Sequence, residues 1–98
     1  MKQALLATIL TVFAAPAFAQ TDAQEYADLV AGASISYAQA GDIALTKIGG
    51  GTVVKSELDN HRLKVVFEVA VLNTDGKLYE VNVNAADGQV ISTREDRD

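Results

Sequence analysis

A chain of 98 residues, 49% hydrophobic and 21% charged, has room for one small globular domain and no second core. Zero cysteines exclude a disulfide framework, a thiolate nucleophile and a cysteine-based zinc site, and a single histidine, His61, removes most histidine-ligated metal sites and proton relays. The formal net charge of -5 speaks against a nucleic-acid-binding surface, which needs clustered Lys and Arg.

The chain opens with one positive charge at Lys2, an uncharged apolar run from Ala4 to Phe13, and a segment closing on Pro16 and Ala17-Phe18-Ala19. This is the pattern of a secretory signal peptide over residues 1–19, with cleavage expected between Ala19 and Gln20. The apolar run is about half the roughly 20 residues that a membrane-spanning helix needs, so no permanent anchor is expected. Loss of Lys2 leaves seven Lys and Arg against thirteen Asp and Glu, an exported chain of net charge -6. So small a domain buries only roughly 60 to 65% of the surface that its unfolded form exposes, and no disulfide offsets that deficit.

Residues 20–33 read as a leader or a short helix, with Asp22 and Glu25 spaced as a capping box and Tyr26, Leu29 and Val30 as its few apolar residues. A firmer helix signal starts at Ser36, where Gln39 stands three residues on. Tyr37, Ala40, Ile43, Ala44 and Ile48 then fall on one arc, a face of mostly small residues suited to lying on a sheet, until Gly49-Gly50-Gly51 stops the helix.

Beyond the glycines the period changes to two. Val54, Ser56 and Leu58 alternate with Lys55, Glu57 and Asp59, a turn is expected at Asn60-His61, and Leu63 to Leu72 form a second strand. Asn73-Thr74-Asp75-Gly76 is a turn, Leu78 to Asn84 a third strand, Ala85-Ala86-Asp87-Gly88 another turn and Gln89 to Ser92 a last strand. Thr93 to Asp98 reads as a charged tail. Short connections require antiparallel neighbours. The expected fold is α+β: one amphipathic helix packed on an antiparallel β-meander of three to four strands, with odd-numbered residues of the second and third strands facing the helix.

No residue stands out for catalysis. Glu57, Glu68 and Glu80 alternate with apolar residues as a solvated strand face does, and Lys55 and Lys64 share that face. His61 reads as a turn residue and Ser56 as a small core-facing one. The spacing of an EF-hand calcium loop fails around both Asp75-Gly76 and Asp87-Gly88, which leaves the acidic residues Glu95, Asp96 and Asp98 as a place for a weak cation. Catalytic, cofactor-binding and metal-ligating residues are therefore expected to be absent. The candidate partner-binding face is Lys55, Glu57, Lys64, Glu68 and Glu80, flanked by sheet edges that can accept an extended peptide.

The stretch from about Ile35 to Ser92 resembles the PepSY domain family, found in propeptides of secreted thermolysin-type metallopeptidases. The resemblance rests on Ile35-Ser36 with Ala40, Ile43, Ala44 and Leu45, on the glycine break followed by Val53-Val54, on Phe67-Glu68-Val69-Ala70-Val71, and on Tyr79-Glu80-Val81-Asn82-Val83-Asn84-Ala85-Ala86-Asp87-Gly88-Gln89-Val90-Ile91. Gly41 departs from it where a bulky apolar residue is usual, as does Asn84 where Asp is common. The resemblance implies a PepSY-like domain over residues 34–92 and a non-catalytic, periplasmic or secreted protein-binding module that inhibits or regulates a peptidase. The alternative is a regulatory ligand for a membrane sensor or signalling protein.

Overall fold

Helix α2 (Tyr37–Ile48) starts as its first residues dictate. The Ser36 hydroxyl accepts the Gln39 N–H at 3.1 Å, and the Ser36 N–H donates to Gln39 Oε1 at 2.8 Å, closing a reciprocal cap. The helix ends at Gly49, whose φ of 94° is a left-handed conformation that a side chain would disfavour, and the N–H groups of Gly49 and Gly50 both donate to the Leu45 carbonyl. After that break the chain forms β1 (Thr52–His61), β2 (Lys64–Leu72), β3 (Leu78–Asn84) and β4 (Val90–Asp96). The four strands make one antiparallel meander in the order β1-β2-β3-β4. A helix α1 (Ala14–Ala31) precedes them. The computed structural model describes residues 14–97. The signal peptide expected over residues 1–19 therefore lies largely outside the described residues.

The architecture is the expected α+β one. Helix α2 crosses β1, β2 and β3 on one face of the sheet. Phe67, Val69 and Val71 of β2 and Val81 and Val83 of β3 are buried with Ala40 and Ala44 of α2, and the Tyr37 ring meets Phe67 edge-on at 4.9 Å and 74°. These strand residues are the odd-numbered ones, as alternation requires. Ala85, fully buried, fastens three segments: its carbonyl accepts the N–H groups of Ser34 and Ile35, and its own N–H donates to the Val65 carbonyl.

Three local expectations are corrected. The first hairpin turns at Arg62-Leu63, with φ of 51° and 71°, and His61 is the last residue of β1, paired with Lys64. A two-residue reversal of this kind favours Asn-Gly, so a sequence reading has no turn residue to find there. A register shift between Val53 and Lys55 turns Val53 toward the core and leaves Val54 exposed. Strand β4 continues through Thr93, Arg94, Glu95 and Asp96, which pair with Val81, Glu80, Tyr79 and Leu78. Of residues 20–33, read as a leader or a short helix, those up to Ala31 belong to α1, and of the apolar side chains named there Leu29 is buried whereas Tyr26 and Val30 are exposed.

Candidate functional site

Alternation places the even-numbered residues of β2 and β3 on the face away from α2. The register aligns Lys55 with Ala70, Glu57 with Glu68, and Ala70 with Glu80, so all five residues of the candidate face, Lys64 included, lie on this one side. Lys55, Glu57, Glu68 and Glu80 line a shallow depression of about 450 Å³ together with Ala70, Asp96 and the side chain of Val54 that the register shift turns outward. Lys64 stands apart from it, beside the first turn.

Two side chains join this face that the sequence reading placed elsewhere. Arg94 donates from Nε and Nη2 to Glu80 Oε1 at 3.1 and 2.6 Å, and that hydrogen bond, with the carboxylate charge behind it, raises the guanidinium above its already high ordinary pKa. His61 Nε2 lies 2.6 Å from Glu68 Oε2 and 3.8 Å from Asp59 Oδ2. Reading His61 as a turn residue is thus corrected: it ends β1 and faces Glu68. The sequence held a signal for it, because the alternation Lys55, Glu57, Asp59 continues to position 61. Arg94 carried no such signal while β4 was expected to end at Ser92.

The contact between His61 and Glu68 also requires curvature. Glu68 pairs with Glu57, four residues before His61, so straight strands would separate the two side chains by roughly 13 Å along their length. The hairpin curls over its own solvent face, and Val66, which pairs with Asp59 between them, is only 1% exposed although it stands outside the main core cluster. Elsewhere on the face Glu57 and Glu68 oppose one another directly, Lys55 sits 3.6 Å from Glu57, and Asn82 Nδ2 donates to Ser92 Oγ while the Asn82 Oδ1 is buried without a partner.

The acidic end of the chain does not assemble a cation site among the described residues. Glu95 pairs with Tyr79 and Asp96 with Leu78, so their side chains leave opposite faces of the sheet, and Asp98 lies outside the described residues. Ser56 is half-buried on the core side, as expected, with its Oγ buried and unpartnered. Leu63, at the tip of the first hairpin, is 98% exposed.

A helix laid on one side of a four-stranded meander, with charged side chains on the other, is a two-layer α+β domain. The chain belongs to the PepSY family, described as peptidase propeptide and YPEB domain, whose pattern matches residues 34–94. Comparison with curated proteins and with solved structures found no match. Members of the family are protein-interaction domains, typically extracellular or periplasmic. No helix among the described residues is long and apolar enough to cross a membrane.

Proposed function

We propose that this chain is an exported, non-catalytic module that binds a peptidase and restrains or regulates it through the sheet face carrying Lys55, Glu57, Lys64, Glu68 and Glu80. The observation that carries the reading is the depression lined by four of these residues on the side opposite α2. A mixed pattern of charges around a shallow, partly apolar floor selects a partner by complementarity more than by net attraction. The exposed edge strand β4, whose residues Ile91 to Arg94 are all at the surface, offers backbone groups to an extended segment of that partner. Export follows from the N-terminal pattern, with cleavage between Ala19 and Gln20.

The hairpin tip supports the same reading. Leu63 buries nothing in the free chain and adopts a φ of 71°, a conformation that costs a non-glycine residue about 1 kcal/mol or more. An apolar side chain held at such a cost on a hairpin suits insertion into an apolar pocket of a partner.

In-cell photo-crosslinking tests the proposal, with the probe at Lys64 or Lys55 of the exported, tagged chain and mass spectrometry of what is captured. Recovery of an envelope peptidase whose turnover slows with the purified chain is the expected result. Recovery of a membrane sensor and no peptidase would overturn it in favour of a signalling ligand.

A further inference from the structure

The curled end of the first hairpin gathers one oxygen or nitrogen donor from each of Asp59, His61 and Glu68, all within 4.8 Å of one another. We propose that these three residues form a binding site for a divalent first-row transition ion of the zinc class. The donor set suits it: one imidazole nitrogen and two carboxylates match zinc and its neighbours, whereas calcium takes six to eight oxygens.

The spacing suits it too. Donors about 2.0 to 2.1 Å from a tetrahedral ion stand roughly 3.4 Å from each other. The His61 nitrogen is 2.6 Å from Glu68 and 3.8 Å from Asp59, so these two pairs change their separation by less than about 1 Å to admit the ion, and Asp59 and Glu68, within 4.8 Å of each other, close by at most about 1.4 Å. Asp59 and His61 are largely exposed and can make that adjustment, while Glu68, half-buried, and the backbone register of the two paired strands hold the group in place.

Charge supplies a second, independent reason. Glu57 faces Glu68 across the strands, Asp59 lies two residues further along the same face, and like charges directly opposite destabilise a sheet. Lys55 serves Glu57, and Lys64, opposite His61, is exposed and can turn to solvent. A divalent ion between His61 Nε2 and the two carboxylates balances both of them and braces this end of the hairpin. Three protein ligands leave a fourth position open toward solvent for water or an exchangeable ligand.

The test is a titration of the untagged, exported chain with zinc sulfate, followed by calorimetry and by the NMR signals of the imidazole, unique because the chain has one histidine. Saturation at one ion per chain is expected, with the imidazole resonances shifting in step. Binding should weaken at least about tenfold in His61→Gln and Asp59→Asn and stay unchanged in Glu95→Gln, whose side chain leaves the other face. No saturable uptake, or uptake that leaves the wild-type imidazole signals unmoved, overturns the proposal even where a variant fails to fold.

Discussion

Gly41 is buried in the middle of α2, yet nothing in its surroundings demands a glycine. A Cβ there would meet only Val53 Cγ2, at 3.5 Å, which is ordinary contact, whereas glycine in a helix interior costs about 1 kcal/mol relative to alanine. Gly41→Ala is therefore expected to raise stability by about 0.5 to 1 kcal/mol, read from urea denaturation. Gly51 is the opposite case. Its φ is 121° and a Cβ would run into the Leu72 carbonyl and the Asn73 backbone, so Gly51→Ala should lower stability by more than about 1 kcal/mol in the same assay. Leu63 carries a different kind of cost, one that the proposed docking of the hairpin tip would account for. Leu63→Gly should stabilise the free chain by about 1 kcal/mol while weakening capture of the partner. A variant more stable and equally able to bind would remove the hairpin tip from the interface.

At the level of elements, among the described side chains of α1 only Leu29 is buried against the domain. Leu29 belongs to the core cluster, whereas Tyr26 and Val30 on the same helix stay exposed. Leu29→Ala should cost about 2 kcal/mol or more, and Tyr26→Ala and Val30→Ala less than about 0.5 kcal/mol, in parallel thermal melts. Equal effects at all three positions would mean that α1 packs along its whole length. The same contrast explains which elements could be read in advance. Ser36 and Gln39, the three glycines, Asn73 and Asn84 each carry a side-chain or backbone chemistry that fixes a boundary locally, and the structure uses them so: Asn73 Oδ1 accepts the N–H groups of Asp75 and Lys77, and Asn84 Oδ1 that of Ala86. Arg62-Leu63 carries none, and its turn is imposed by the pairing of the strands on either side. The end of β4 was illegible for a related reason. A charged run such as Thr93 to Asp96 extends a strand only when a neighbour such as Glu80 meets Arg94, and the sequence does not print that neighbour.

For the whole molecule, the candidate face was legible as a set because alternation alone assigns Lys55, Glu57, Lys64, Glu68 and Glu80 to one side. What alternation could not convey is the curl that brings His61 to Glu68, or the depression that excludes Lys64. That difference between a set of charges and a shaped pattern can be measured. The double substitution Lys55→Glu with Glu57→Lys leaves the net charge of the chain unchanged and keeps an exposed pair whose contribution to stability is small in either orientation. It also sets a lysine opposite Glu68 in place of a glutamate, so the fold should be no weaker and marginally stronger. Long-range attraction to a partner depends on net charge and survives the exchange; docking in register depends on which sign stands at which position and does not. Binding to the captured peptidase is accordingly expected to fall at least about tenfold, mostly through faster dissociation, at a melting temperature no lower than that of the unsubstituted chain. Unchanged binding would move the interface off this face and onto the β4 edge, where backbone groups rather than side-chain charges would hold the partner.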